Sequence, residues 1–188
     1  LDLFPQRGSV FYLLDDSLLA NDFSGSYHVA LPKDQYRAAS INTEGLALLA
    51  APTNLLLVAG TKWTTLPFSV PRKSEKIYTW QGRFYVLADD TVYRLSSPQI
   101  DFFHRGSNLT ALAFTTNEVI VGTHNGWYGL DLETGKATTD PQIQLPATNI
   151  TCLLPLPEGM WVGTTHGAFF QTGPKSFRYY ASLRWLPD

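Results

Sequence analysis

Residues 108–135 read NLTALAFTTNEVIVGTHNGWYGLDLETG, and residues 149–173 repeat much of this pattern as NITCLLPLPEGMWVGTTHGAFFQTG. Matching residues lie at a single offset of 41 positions: Asn108 and Asn149, Thr110 and Thr151, Gly122 and Gly163, and Gly126 and Gly167. Repeats of about 40–45 residues made of short strands are typical of β-propellers, in which each repeat forms one blade. The sequence therefore predicts an all-β fold, a β-propeller built of four-stranded antiparallel blades.

Turn residues divide the repeat at 108–140 into strands. Asn125-Gly126 is a strong signal for a tight hairpin, and Glu133-Thr134-Gly135 forms a second turn signal. The predicted strands are A at 109–114, B at 119–123, C at 127–132 and D at 136–139, with a further turn at 116–118. Because one blade cannot bury both of its faces, we expect neighbouring blades to stack face to face.

Weaker copies of the repeat lie upstream. Residues 84–93 read FYVLADDTVY and residues 11–19 read FYLLDDSLL, so both contain two short strands joined by an Asp-Asp turn. Residues 55–63 form a more degenerate copy. Blade-like units are predicted near 8–25, 46–68, 78–97, 108–140 and 149–181, within a single propeller domain or propeller fragment covering 1–188. About five blades are thus expected, either as a piece of a larger ring or as an unusual five-bladed closure.

Composition narrows the classes of function. The chain has 188 residues, a net charge of −2 and only 14 scattered basic residues, so we predict no nucleic-acid partner. No window approaches the roughly 18 apolar residues of a membrane span, so we predict no membrane insertion. The single cysteine, Cys152, lies in the apolar run 150–154 and is predicted to be a small buried hydrophobic residue.

The repeat at 149–180 also resembles a known family. Its motifs are similar to the two-component regulator propeller repeat: Asn149-Ile-Thr-x-Leu153, Trp161-Val-Gly-Thr-x-x-Gly167, Thr172-Gly173 and Phe177-x-x-Tyr180. Such propellers form periplasmic sensor regions of hybrid histidine kinases in Bacteroidetes, and similar ones occur in accessory proteins of type IX secretion. The resemblance implies a seven-bladed ring, a periplasmic or extracellular location in the bacterial envelope, and a role in signal transduction.

Candidate binding residues follow from blade geometry. In a propeller the B–C hairpins and the D–A loops lie on one face, where ligands commonly bind. That face is predicted to carry Asp15, Asp16, the 107–108 and 148–149 loops, and all of the candidate ligand-binding residues except Trp127, which lies beside a hairpin. The candidates are Asp89, Asp90, His124, Asn125, Trp127, Thr165 and His166. Polar residues at hairpins are also ordinary turn formers, which is the competing explanation for each of them.

Three of these groups suggest particular chemistry. His124 and His166 occupy nearly equivalent hairpins, but the sequence offers no third ligand, so we predict no metal site and no cofactor. The Asp pairs at 15–16 and 89–90 suit either turns or the carboxylates of glycoside hydrolysis or calcium binding. Trp127, beside a hairpin, is the candidate for stacking on a sugar, whereas Trp161 in strand B is predicted to be core.

These observations favour a non-catalytic propeller of a bacterial envelope or signalling protein that binds an oligosaccharide or a protein partner. One alternative is a carbohydrate-active enzyme, a hydrolase or lyase, with its site at the channel mouth. That reading requires two carboxyl groups about 5–9 Å apart, facing one cavity. The other alternative is a structural assembly module that packs against further propeller blades or a second copy, which large apolar surfaces on the outermost blades would favour.

Overall fold

The computed structural model describes residues 2–6, 9–14, 16–22, 25–33, 36–66, 74–96 and 99–180, and this part of the chain contains nineteen strands and no helix. The strands form five consecutive antiparallel sheets, called blades 1 to 5. Blade 1 consists of β1 (Asp2–Gln6), β2 (Ser9–Leu13), β3 (Ser17–Asp22) and β4 (Gly25–Ala30). Blade 2 consists of β5 (Ala38–Ile41), β6 (Leu46–Ala50), β7 (Leu55–Ala59) and β8 (Lys62–Thr65).

The remaining blades follow the same order along the chain. Blade 3 consists of β9 (Ser74–Trp80), β10 (Arg83–Ala88), β11 (Thr91–Ser96) and β12 (Gln99–Arg105). Blade 4 consists of β13 (Leu109–Phe114), β14 (Glu118–Thr123) and β15 (Trp127–Asp131). Blade 5 consists of β16 (Ile150–Leu156), β17 (Gly159–Thr164), β18 (Gly167–Gly173) and β19 (Ser176–Tyr180). Each sheet is a meander of sequential strands, so the predicted propeller-blade fold is confirmed.

The chain divides into two compact units, with the boundary between Phe102 and Phe103. The first unit has two apolar clusters, one joining blades 1 and 2 around Leu18 and Leu49, the other joining blades 2 and 3 around Leu48 and Val86. In the second unit, one cluster joins blades 4 and 5 around Phe169. Alternate side chains of each strand point to opposite faces of its sheet, so stacked blades bury the intervening faces as expected.

Blades 4 and 5 reproduce the repeat in their backbone as well as in their sequence. Asn108 and Asn149 both adopt a left-handed conformation immediately before strand A, with φ of 54° and 57°. The register of strand A against strand B shifts at the same place in both blades, between Leu109 and Ala111 and between Ile150 and Cys152. The 41-residue offset therefore marks equivalent three-dimensional positions, which makes the two blades directly comparable.

Four predicted elements need correction. The segment 136–139 is not a regular strand D, because it meets β15 through one isolated bridge, between Ala137 and Leu130, and a second isolated bridge, between Gln142 and Trp127, lies beyond the segment. Here the hydroxyl of Thr139 accepts the Gly129 N–H in place of a main-chain carbonyl, and Pro141 has no N–H to donate. The predicted units 8–25, 46–68 and 78–97 were too short, since blades 1 to 3 contain four strands each.

Two burial predictions were also wrong. Cys152 is exposed rather than buried, and Trp161 is half-buried rather than part of the core. Both side chains lie on the face of blade 5 that points away from blade 4, because Cys152 pairs with Gly163 while the neighbouring Leu153 and Val162 face inward. Within the described residues, no helix is long and apolar enough to cross a membrane.

Candidate functional site

Main-chain hydrogen bonds bring the predicted hairpin face together in the second unit. The His124 N–H donates to the Asn108 carbonyl at 3.1 Å, and the Thr165 N–H donates to the Asn149 carbonyl at 3.2 Å. The Asn149 N–H in turn donates to the His124 carbonyl at 2.6 Å, which links the hairpin of blade 4 to the start of blade 5. The B–C hairpins and the starts of strand A therefore lie on one side of these two blades.

The polar side chains on this face mostly serve their own turns. The Thr123 hydroxyl accepts the Asn125 N–H at 3.1 Å, and the Thr165 hydroxyl lies 3.0 Å from Nδ1 of His166. His124, Asn125, Thr165 and His166 are all exposed. Across the described residues, no three His, Cys, Asp or Glu side chains are grouped as metal ligands would be. These four residues form an accessible polar surface rather than a concave site.

The aspartate candidates lie in the first unit. Asp89 and Asp90 are exposed in the turn between β10 and β11, where Asp89 adopts a left-handed conformation with φ of 51°. Aspartate tolerates this conformation better than most residues, which accounts for its presence in the turn. Asp16 is exposed and accepts a hydrogen bond from the Ser17 hydroxyl at 3.2 Å, while Asp15 lies outside the described residues.

A groove of about 440 Å³ lies between blades 4 and 5 in the described part of the second unit. This volume is within the range of small-molecule sites, which are mostly apolar with a few polar groups. The groove is lined by Ile120, Trp127 and Gln142 of blade 4 and its following segment, by residues 155–160, and by residues 171–174. Of the predicted site residues, Trp127 contributes to it and the others do not.

Trp127 is held in place from two directions. Its backbone pairs with Gln142, whose N–H donates to the Trp127 carbonyl at 2.8 Å. The indole Nε1–H donates to Oε1 of Gln171 at 3.0 Å, and the Gln171 amide donates to the Gly173 carbonyl at 3.2 Å. Because Gln171 is itself buried, these bonds fix the indole relative to blade 5 before any ligand enters.

The groove combines an aromatic side chain, an apolar wall and a small number of polar groups. Met160 and Leu156 supply apolar surface, Gln142 supplies an amide, and Glu158 is the one carboxylate among the lining residues. An indole beside amide and carboxylate groups suits a ligand with an apolar ring face and peripheral hydroxyls. A two-carboxylate hydrolase site would need a second acid that this lining does not supply.

Sequence reasoning identified Trp127 because it follows a hairpin, but it missed Gln142, Glu158 and Gln171. Gln171 lies 44 residues from Trp127 in the chain and reaches it only because blades 4 and 5 stack. One signal of the close approach between the Gln142 segment and this hairpin was present in the sequence, namely Gly126, which directly precedes Trp127. A Cβ at Gly126 would lie 2.9 Å from the carbonyl carbon of Gln142, so only glycine admits the segment that lines the groove.

The turn at 131–135 in the second unit contains a titratable group. Asp131 accepts hydrogen bonds from the hydroxyl and the N–H of Thr134, both at 2.7 Å, and these bonds lower the pKa of Asp131. The turn places the Gly135 carbonyl 3.1 Å from Nδ1 of His104, whose Nε2 lies 2.9 Å from the Tyr128 hydroxyl. A neutral imidazole with its proton on Nδ1 satisfies both contacts.

We expect His104 to make the second unit less stable at mildly acidic pH. Desolvation by burial lowers the pKa of His104, although the bond to Gly135 opposes this. Between pH 7 and 5 the unfolded chain therefore binds more protons than the folded one, so stability falls as the pH falls. Thermal unfolding at pH 7, 6 and 5 should show a weaker pH dependence for His104→Gln than for the wild type. Equal slopes for the two proteins would contradict this prediction.

Comparison with known proteins supports the fold. No profile of a known protein family matches the chain, and no curated protein matches it in sequence. The WD40 domain of Pan2 from Neurospora crassa superposes with a TM-score of 0.71 and 13% identity, over 96% of this chain and 64% of that domain. Virginiamycin B lyase from Staphylococcus aureus superposes with a TM-score of 0.70 and 11% identity, over 95% of this chain and 68% of the lyase.

A third similar structure is the extracellular domain of a protein described as a hybrid two-component system from Bacteroides thetaiotaomicron. It superposes with a TM-score of 0.64 and 15% identity, over 80% of this chain and 25% of that domain. The chain thus spans less than two thirds of the Pan2 domain and a quarter of the Bacteroides extracellular domain. These similarities, together with the five blades, show that the chain has a β-propeller fold. The three relatives differ in the function their names give, so the fold alone does not assign one.

Proposed function

We propose that this chain is a non-catalytic, ligand-binding β-propeller from the extracytoplasmic sensor region of a bacterial signalling or envelope protein. Its ligand is an oligosaccharide bound in the groove between blades 4 and 5. The observation that carries the proposal is the Trp127 indole, which lines the groove and is fixed by Gln171. The sensor assignment is supported by the resemblance of 149–180 to the two-component regulator propeller repeat and by the similarity to the extracellular domain of a hybrid two-component system.

The geometry of the groove favours a sugar over a fully apolar ligand. Sugars present an apolar ring face that packs on an aromatic side chain, with hydroxyl groups around the edge that need hydrogen-bond partners. Gln142 and Glu158 line the same groove as that indole and offer an amide and a carboxylate to such hydroxyls. An apolar ligand would leave these polar groups without compensation for their lost water.

Removal of the indole is expected to abolish most of the binding. In titrations of the intact chain with a panel of oligosaccharides, Trp127→Ala should weaken the best ligand by about tenfold or more, since 1.4 kcal/mol corresponds to tenfold. Trp127→Phe should recover part of the loss because a phenyl ring still stacks. Trp63→Ala removes an exposed tryptophan of the first unit and should leave the affinity unchanged.

A second variant separates binding from folding, because Trp127 also packs against the core cluster of blades 4 and 5. Glu158 is exposed, so Glu158→Gln should retain the thermal midpoint of the wild type while weakening the oligosaccharide severalfold through loss of a charge-assisted hydrogen bond. If no oligosaccharide binds the wild-type chain, or if Trp127→Ala and Glu158→Gln both bind as well as the wild type, the proposal fails.

A further inference from the structure

The groove between blades 4 and 5 offers a ligand more hydrogen-bond acceptors than donors. Pro155, Pro157 and Pro174 are among its lining residues, and proline has no main-chain N–H to donate. Pro157 shares the turn between β16 and β17 with Glu158, and Pro174 lies in the turn between β18 and β19. Both turns at the groove therefore lack an N–H group that another residue would supply.

The lining side chains that can donate a hydrogen bond already donate to the protein. The bonds that fix the Trp127 indole relative to blade 5 occupy two of them. The Gln142 amide donates to the Asp140 carbonyl at 3.4 Å, and the Thr172 hydroxyl donates to the Ser176 hydroxyl at 2.9 Å. Each glutamine amide keeps one further N–H, so the side-chain donors left for a ligand are few.

Glu158 is the opposite case, because its carboxylate has no hydrogen bond or ion pair within the part of the chain that the structure describes. The residue is exposed, so its two oxygens, with about four lone-pair positions, are available to a ligand. Among the described residues that line the groove there is no lysine, arginine or histidine. The charge of Glu158 thus has no counterion within this lining, and a ligand can supply one.

We infer that the groove selects oligosaccharides that carry a free amino group, as in glucosamine, over neutral ones, and rejects those that carry carboxylate or sulfate groups. The inference rests on the proposed oligosaccharide function of this groove and makes Glu158 the residue that determines charge specificity. A protonated amine is a pure donor with three N–H groups, and its bond to a carboxylate is charge-assisted. An acidic sugar brings further acceptors and places a second negative charge beside Glu158, which is unfavourable.

The exposure of Glu158 limits the size of this preference. An ion pair at an exposed site contributes up to about fivefold in affinity, because water and salt screen it. Lys175 directly follows the lining residue Pro174 and is also exposed. Its ammonium would attract acidic sugars if it reached the groove, so a variant at this position is needed as a control.

Calorimetric titration of the intact chain with four sugars that share one backbone tests the inference. The probes are the β-1,4-linked tetramers of glucosamine, N-acetylglucosamine, glucose and glucuronic acid, at a pH of about 6, where an amine is protonated. The glucosamine tetramer should bind about fivefold more tightly than the glucose tetramer, and the glucuronic acid tetramer more weakly by about fivefold or more. Acetylation removes the charge, so the N-acetylglucosamine tetramer should lose the advantage. Added salt should narrow the differences.

Two variants assign the selectivity to its residue. In Glu158→Gln the glucosamine and glucose tetramers should bind within about twofold of each other, whereas Lys175→Gln should keep the wild-type order. The inference is overturned if the glucosamine tetramer does not bind, if the glucuronic acid tetramer binds as tightly, or if the preference for the amine survives in Glu158→Gln. Binding of the glucose tetramer that Trp127→Ala removes, without any advantage for the amine, would overturn this inference and leave the proposed oligosaccharide function standing.

Discussion

Replacement of Phe169 by alanine is expected to lower the free energy of unfolding by about 3–5 kcal/mol, the range seen when a buried aromatic residue is truncated. Phe169 is fully buried and packs edge-to-face against Phe177, with ring centroids 5.6 Å apart. It also belongs to the cluster that joins blades 4 and 5, where Ala111 and Ile120 line the opposite wall. The cavity left by the variant would therefore lie between the blades, where neither sheet can collapse into it without losing its own register.

Urea denaturation measures this effect. The midpoint should fall with little change in slope, because the surface exposed on unfolding stays nearly the same. Phe102→Ala makes the same substitution at a residue that is 65% exposed and should change the stability by less than about 0.5 kcal/mol. If Phe169→Ala does not fold, Phe169→Leu is the milder substitution at the same position. A cost for Phe169→Ala no larger than that for Phe102→Ala would show that the blades do not stack through this side chain.

The sequence predicts blades 4 and 5 well because local signals and the long-range repeat agree. Asn125-Gly126 ends strand B where the structure places the hairpin, and the predicted strand A at 109–114 matches β13. Asn108 and Asn149 combine identity at one offset with a left-handed conformation that asparagine tolerates. Each of these residues acts through its own backbone, so its effect is visible without knowledge of the tertiary structure.

The upstream blades were predicted less completely because their outer strands lack such signals. All four residues of β8, Lys62–Thr65, are exposed. Because this strand has no buried face, its sequence does not need the alternation of apolar and polar residues that would predict a strand. Cys152 and Trp161 fail for a different reason. Their apolar run predicts burial, but a strand has two faces, and whether the second face is covered depends on another sheet. The structure shows that blade 4 covers one face of blade 5 and that Cys152 and Trp161 lie on the opposite face.

The candidate site was predictable only where a local sequence signal marks it. Trp127 follows a hairpin signal, whereas Gln171 and Glu158 belong to the next blade and carry no local mark of a site. The hairpin residues His124 and His166 were candidates because histidine is a common metal ligand. In the structure they are exposed turn residues, and the concave surface lies instead between the sheets. Contacts between blades depend on stacking, which the repeat predicts, but also on side-chain directions, which it does not.

Replacement of Gly126 by alanine is expected to lower the stability by about 1–3 kcal/mol, the usual cost of forcing atoms into a packed site. The added Cβ would lie 2.9 Å from the carbonyl carbon of Gln142 and 3.3 Å from the Cα of Ile143. Backbone cannot move aside as a flexible side chain can. The segment must therefore shift, which breaks the hydrogen bond from the Gln142 N–H to the Trp127 carbonyl.

The same substitution should damage the groove, because Gln142 lines it and its backbone positions Trp127. We expect Gly126→Ala to weaken oligosaccharide binding by about tenfold, measured by calorimetry well below the thermal midpoint of the variant. Gly173→Ala is the matched control, since Gly173 also lines the groove but a Cβ there would meet nothing within 4 Å.

Loss of affinity in both variants would point to a ligand that fills the groove beside Gly173. Loss in Gly126→Ala alone would show that the ligand depends on how the Gln142 segment holds Trp127. Unchanged stability and affinity in Gly126→Ala would mean that the segment does not pack against this hairpin, and the groove would then lack one of its walls.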